Sequence, residues 1–295
     1  MGTTLMTRAM RTMLFVPGDS ERKFARAVTG AADALILDLE DSVAAAGKEA
    51  ARGTVRGMLS GDRGRQAIYV RVNALDTGLT LGDLAAVMAG APSGIVLPKS
   101  ASADDVALVG TWLDGLEAAH GVEQGATRVV AIATETAASL FGLGSYRTAG
   151  PRLHGLMWGA EDLSASIGSS SNREGRRFHS PYLLARDLCL MAAAAAGVLA
   201  IDTVFTDIDD IEGLTLETQA ACRDGFACKA VIHPKHVEPV NAAFMPGATE
   251  LAWARAVVAI FENPGTGVQT LDGKMIDKPH LRTAERILAR AALVG

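Results

Sequence analysis

Apolar residues along the chain gather in short, β-branched-rich runs: Thr12–Val16, Ala34–Leu39, Ile68–Val72, Gly94–Leu97, Val129–Thr134, Gly155–Trp158, Leu199–Phe205 and Lys229–Ile232. Most of these eight runs lack the polar alternation of a half-exposed strand, as strands of a parallel sheet covered on both faces do. Between them lie Ala-, Leu-, Arg- and Glu-rich segments long enough for a helix. The βαβα rhythm fits a doubly wound sheet too, but an eightfold count with right-handed crossovers favours closure into a (β/α)8 TIM barrel.

The residues that follow the runs carry the chemistry. Gly18-Asp19, Glu40-Asp41, Arg71 with Asn73, Lys99, Glu135, Glu161-Asp162, Asp207 and His233-Pro234 stand at or just past the strand ends. In a barrel those ends converge on the face where active sites are built. Capping of the next helix explains an acidic residue at any single strand end. Glu135 and Asp162 are different, because consecutive strands place their carboxylates one strand spacing apart. Such hard oxygen ligands suit Mg2+, with Mn2+ as the alternative, and leave positions for water and substrate. No H-E-x-x-H motif offers a zinc site, and His233 and His236, flanking Pro234, read as structural. A half-open magnesium site polarises a carbonyl or alkoxide and chelates a 2-oxo or 2-hydroxy acid. Arg71 adds a permanent cation for a carboxylate or an oxyanion. Together they suit making or breaking a C–C bond beside an enolate.

Composition narrows the partners. The 295 residues are 49% hydrophobic, 21% charged and 5% aromatic, an ordinary globular balance. A net charge of −5 argues against a nucleic-acid partner, which needs a clustered basic face. No apolar stretch approaches about 18 residues without a charge or glycine, so no membrane span is expected. Gly2 does not complete a myristoylation motif, since Met6 stands where Ser or Thr belongs. Cys189, Cys222 and Cys228 read as reduced, buried thiols of a cytoplasmic chain. The pieces VPGD and GLGS complete neither a P-loop nor a dinucleotide fingerprint.

Domain organisation reads as a barrel over 1–247 and a C-terminal extension over 248–295, which packs on the barrel or on a neighbouring subunit. Glu238–Gly247 reads as a loop, and Thr249–Glu262 as a helix with Leu251, Ala254, Val257, Val258 and Phe261 on one face. A turn cluster at Asn263–Gly267 follows, then a short strand Val268–Leu271 with an Asp272-Gly273 turn, and a helix Lys278–Leu293. Gly168–Arg177, reading GSSSNREGRR, is the most loop-like internal segment, either a lid over the mouth or an ordinary exposed loop.

In order, the segments MLFVPGDSERKF, DALILDLEDSV, YVRVN, VLPKS, AIATETAASLFGL, GLMWGAEDLSASIG, KAVIHPKHVEPVN and DGKMIDKPH closely resemble the HpcH/HpaI aldolase and citrate lyase β-subunit superfamily. The citrate lyase β-like branch fits best and covers nearly the whole chain. The resemblance implies a TIM barrel, magnesium, and reversible cleavage of a 3-hydroxyacyl-CoA such as citramalyl-, malyl- or citryl-CoA. The products would be an acetyl-CoA-type thioester and a 2-oxo acid. It also implies that Glu135 and Asp162 ligate the metal, that Glu135 touches substrate, and that Arg71 binds the 2-oxo acid and steadies the oxyanion. Glu40 and Asp41 would hold metal-bound waters. Asp277 in MIDKP matches an aspartate that, in relatives, enters the active site of an adjacent subunit and transfers a proton at the acetyl-CoA methyl, so a homotrimer or hexamer is implied. Lys99, with Lys23, is charge-compatible with substrate or phosphate. The pyruvate-aldolase branch expects a histidine near strand two, and this chain has none before His120. A CoA-free 2-oxo-acid aldolase, or a citrate lyase β subunit serving an acyl-carrier partner, are the alternatives.

Overall fold

The computed structural model describes residues 10–262 and 267–292. They form two compact units, Met10–Asn241 and the segment from Ala242 onward.

The first unit is a closed, all-parallel barrel of β1 (Thr12–Pro17), β2 (Ala34–Asp38), β3 (Ala67–Arg71), β4 (Gly94–Leu97), β5 (Arg128–Ile132), β6 (Leu153–Met157), β7 (Leu199–Asp202) and β8 (Cys228–Val231). β1 pairs with both β2 and β8, which closes the sheet. Met13, Ile36, Tyr69, Val96, Val130, Met157, Ile201 and Ala230 share one core cluster. Strand residues of the other parity, such as Leu35, Val70, Ile95, Leu156 and Val231, are buried as well. Burial on both faces is why the runs show no alternation. The connecting helices are α1 (Glu21–Ala27), α2 (Lys48–Ser60), α3 (Thr80–Met88), α4 (Ala103–His120), α5 (Ser139–Gly142), α6 (Glu161–Ile167), α7 (Ser180–Ala196) and α8 (Ile211–Asp224).

Three expectations are corrected. Glu238–Gly247 is not all loop, because α9 (Val237–Ala243) occupies its start. Pro239 falls in the first helical turn, where a missing N–H is tolerated, and Val237, Val240 and Asn241 give the helix a buried side. Gly168–Arg177 is not irregular throughout. After Gly168 caps α6, residues 173–174 and 177–178 pair as a small antiparallel hairpin. Cys189 and Cys228 are buried as expected, but Cys222 is half-buried.

The second unit holds α10 (Ala248–Phe261), the hairpin β9 (Gln269–Leu271) with β10 (Lys274–Ile276), and α11 (Lys278–Ala292). Asp272 and Gly273 both take positive φ, 48° and 74°, as a two-residue hairpin turn requires. Ala254, Val257, Ile276, Ala284 and Ile287 form its core, with Leu251, Val258 and Phe261 packed against them. The turn residues Asn263–Thr266 and the helix end Leu293 lie outside the described residues. The stretch Pro234–Phe261 reaches a mean hydropathy of 1.2 in its most apolar window, but Met245-Pro246-Gly247 separates α9 from α10 within it.

Candidate active site

Charged side chains from five successive strand ends meet at the C-terminal mouth of the barrel. Asp38 and Arg71 end β2 and β3 and lie in register. The Arg71 guanidinium grips Asp38 with two parallel bonds, Nε to Oδ1 at 2.7 Å and Nη2 to Oδ2 at 2.8 Å. Its Nη1 lies 2.8 Å from Glu40 Oε2 and 3.7 Å from Asp41 Oδ2. The guanidinium carbon sits 4.9 Å from the centre of the Phe15 ring. Asp38 also accepts the backbone N–H groups of Glu40 and Ser42, at 2.9 and 3.1 Å, which winds the DLEDS turn. Burial pushes the Asp38 carboxyl up, but the Arg71 hydrogen bonds and charge outweigh it and hold it below the ordinary aspartate range. Two of five guanidinium N–H groups are committed to Asp38, so the plane is fixed with donors to spare for a ligand.

Lys99, just past β4, joins the remaining carboxylates. Its backbone is left-handed, φ 51°, a conformation costing of order 1–3 kcal/mol for a non-glycine residue. In that conformation its N–H donates to Glu135 Oε2 at 2.5 Å. Its ammonium lies 2.6 Å from Glu40 Oε1 and 3.3 Å from Asp162 Oδ1. Glu135 is 4% exposed, whereas the Asp162 side chain, in the first turn of α6, is about a third exposed. A Cβ at Gly159 would come within 2.8 Å of Glu135 Cγ, so only glycine lets the loop after β6 lie against Glu135.

Arg71, Glu40, Lys99, Glu135 and Asp162 thus form one connected network, with Asp41 at its rim. Asp38 was not anticipated; its signal is a single acidic residue inside the apolar run Ala34–Leu39. Other strand-end residues serve local structure. Asn73 donates twice to Asp83 at 2.7 Å, Asp207 accepts the N–H groups of Asp209 and Asp210, and His233 Nδ1 accepts the N–H of Lys235. His236 is buried, with Nε2 3.1 Å from the Ile208 carbonyl. Asp277 belongs to the second unit, where its Oδ1 lies 2.6 Å from His280 Nδ1.

Among the described residues no group of three or more His, Cys, Asp or Glu side chains converges to hold a metal ion. The pair Glu135 and Asp162 nevertheless fits Mg2+, which takes one or two protein carboxylates and keeps several waters. Burial, with the nearby Asp162 and Glu40 charges adding to it, pushes the Glu135 carboxyl up to about 8, although the Lys99 N–H opposes the rise. A divalent cation would reverse that balance. Without metal, Glu135 keeps its proton in the folded state above the ordinary value of 4.5, so its contribution to stability is lost as pH rises toward about 8. A Mg2+ ion held there would bind the deprotonated form. The rise in Tm on adding Mg2+ should therefore be small near about pH 6 and larger near about pH 9; a thermal-shift series giving a pH-independent rise would contradict this.

The family model described as HpcH/HpaI aldolase/citrate lyase matches residues 11–234. A citrate lyase subunit beta-like protein of Mycobacterium tuberculosis is 38% identical over 280 residues, 94% of each chain. The chain belongs to this family. A (3S)-malyl-CoA thioesterase of Cereibacter sphaeroides is 34% identical over 97% of this chain and 95% of its own. A crystal structure of M. tuberculosis CitE, in complex with magnesium, acetoacetate and coenzyme A, superposes with a TM-score of 0.80. That chain is 37% identical, with 96% of this chain and 98% of it covered. The HpcH/HpaI chain described here is therefore a member of a carbon–carbon lyase family whose solved relatives include magnesium and coenzyme A complexes.

Proposed function

We propose that this chain cleaves, reversibly, a 3-hydroxyacyl-CoA into an acetyl-CoA-type thioester and a 2-oxo acid, with Mg2+ held by Glu135 and Asp162. The observation that carries this reading is the single network joining a plane-locked Arg71 to the two carboxylates across the barrel mouth. When bound, Mg2+ would supply Lewis-acid polarisation of the substrate oxygens. Arg71 binds the carboxylate of the 2-oxo-acid half and faces the oxygen on which charge develops. Glu40 and Asp41 would hold water beside the bound ion, and Lys99 keeps Glu40 and Asp162 in place while remaining available to the substrate.

In the cleavage direction the C3 hydroxyl passes its proton to water at the mouth and becomes the carbonyl of the 2-oxo acid, while the bond between C2 and C3 breaks and its electron pair passes into the thioester enolate. Asp277 from an adjacent subunit of a homotrimer or hexamer then delivers a proton to the enolate carbon, which becomes the methyl group. The His280 imidazole beside Asp277 orients that carboxyl.

The test is turnover by the purified chain alone on citramalyl-, malyl- and citryl-CoA, each with Mg2+ and with excess chelator. Mg2+-dependent release of pyruvate, glyoxylate or oxaloacetate together with acetyl-CoA supports a free-standing lyase and names its substrate. Release of free CoA would indicate hydrolysis, the activity in the name of the Cereibacter relative. Silence on all three thioesters, with metal still bound, would favour a carrier-dependent subunit or a CoA-free aldolase.

A second expectation concerns Arg71. Because Asp38 grips it at two points, Arg71→Lys puts a point charge where a planar fork is held. Its kcat/KM should fall by about 10²-fold, in the range of losing one oriented donor, and steady-state kinetics would show it.

A further inference from the structure

The segment that carries Asp162 leaves the barrel at Trp158 and returns through the small hairpin ending at Phe178. Both of its stems enter one closed ring of six side chains. Trp158 Nε1–H donates to Asp202 Oδ1 at 2.6 Å. Asp202 Oδ2 pairs with Lys229 Nζ at 2.6 Å, and the same ammonium reaches Glu217 Oε1 at 3.0 Å. Glu217 Oε2 takes Arg173 Nη1 at 2.6 Å. The Arg173 guanidinium lies 3.5 Å from the centre of the Phe178 ring, and Phe178 stands edge-on to Trp158 with ring centres 5.0 Å apart. Contributions come from β7, β8, α8, the exit of β6 and the hairpin. Lys229, Asp202 and Trp158 are no more than 1% exposed.

Two cations and two carboxylates balance inside the ring. Apolar side chains of similar volume would hold the sheet and α8 together at least as well, so the distinctive product of the ring is fixed geometry. Between the clamped stems lies α6, seven residues long and without a side-chain N-cap bond, too short to hold itself in place. Asn172 Nδ2 crosses from the return stem to Glu161 Oε1 at 2.8 Å, directly beside Asp162. At the hairpin turn Arg176 bonds Asp210 at 2.7 and 2.9 Å, fastening the same stem to the start of α8.

We propose that this ring sets the position of Asp162, making Arg173, Glu217, Lys229 and Asp202 positioning residues of the metal site. The inference rests on the reading that Asp162 holds the metal. Its test is Mn2+ binding to the purified full-length protein without substrate, followed by electron paramagnetic resonance. Arg173→Gln removes the outer ion pair and the stacking while leaving the buried Lys229–Asp202 pair intact. Its Kd for Mn2+ should rise about tenfold, as loss of a group supporting a ligand does, with Arg173→Lys intermediate and the near-ultraviolet circular dichroism unchanged. Glu217→Gln should weaken binding in the same direction. Parent-like Mn2+ affinity in Arg173→Gln and Glu217→Gln, with only a lowered Tm, would overturn the proposal and leave the ring as a fold brace. Should Arg173→Gln fail to fold, Arg173→Lys decides alone, and parent-like affinity there counts against the ring. Parent-like Mn2+ affinity in Asp162→Asn would instead overturn the metal reading itself, and the proposal with it.

Discussion

Glu135→Gln should lose Mg2+-dependent turnover by about 10³-fold or more while the barrel stays folded. The exchange keeps the shape of a side chain that is 4% exposed and pressed against Gly159, so no cavity opens. It also keeps an oxygen able to accept the Lys99 N–H. What disappears is the negative charge, and at neutral pH the metal-free protein already holds that carboxyl protonated, with a value of about 8. Without metal, the variant should therefore melt at or above the parent Tm, and the difference should grow as pH rises from 4.5 toward about 8 and level off above that, because folding then forces the parent to bury a carboxylate that the unfolded chain leaves in water. With Mg2+ the order reverses, since only the parent gains from binding. Asp162→Ala should share the loss of turnover and of Mg2+ stabilisation while leaving circular dichroism and assembly intact. Turnover assays paired with melting curves at two pH values separate the outcomes. Retained activity in Glu135→Gln would remove it from the metal site, and loss of folding in Asp162→Ala would make that residue structural.

Much of this site was legible in the sequence for one physical reason. A barrel strand buried on both faces accepts a charge only where a partner is supplied, so a charged residue at the end of an apolar run or just past it points to the mouth. Lys99 and Glu135 just past their runs, and Arg71 near the end of its own, were singled out in this way, and they do meet. Asp38 escaped notice because it sits within an apolar run, and its acceptability there depends on Arg71, a partner 33 positions away. Asn73, Asp207 and His233 obey the same strand-end rule, but Asn73 donates to Asp83, and Asp207 and His233 accept nearby backbone N–H groups. A single strand end cannot separate these cases, since capping and catalysis use the same residue types. Lys229 opened a predicted strand and thus announced a buried ion, but its partners come from β7 and α8, which no local pattern links. The left-handed backbone of Lys99 was likewise invisible, because a lysine gives no sign of the conformation that lets its own N–H reach Glu135. The loop reading of Glu238–Gly247 erred in the opposite direction, since α9 occupies its start with Pro239 in the first turn.

Mixing two inactive variants, Asp277→Ala and Arg71→Ala, should restore activity. Asp277 and its His280 partner belong to the C-terminal unit, and Arg71 to the barrel. If the proton donor comes from an adjacent subunit, a complete site needs an intact barrel from one copy and an intact tail from the next. In a random one-to-one cyclic assembly, about a quarter of the sites meet that condition. If each chain instead used its own tail, every site would lack one residue or the other and the mixture would stay silent. Asp277→Ala alone should lose turnover by about 10²- to 10⁴-fold, the range typical of removing a general acid. It should bind Mg2+ and 2-oxo acid as the parent does, because the residues proposed to hold them lie in the barrel. Arg71→Ala should fail earlier, at 2-oxo-acid binding, so the parents of the mixture are inactive for different reasons. Exchange of subunits is verified by co-purification of one tagged variant with the untagged other. Recovery near a quarter of parental activity after verified exchange supports a site shared between subunits. No recovery after the same exchange means that each chain uses its own tail, or removes Asp277 from the reaction.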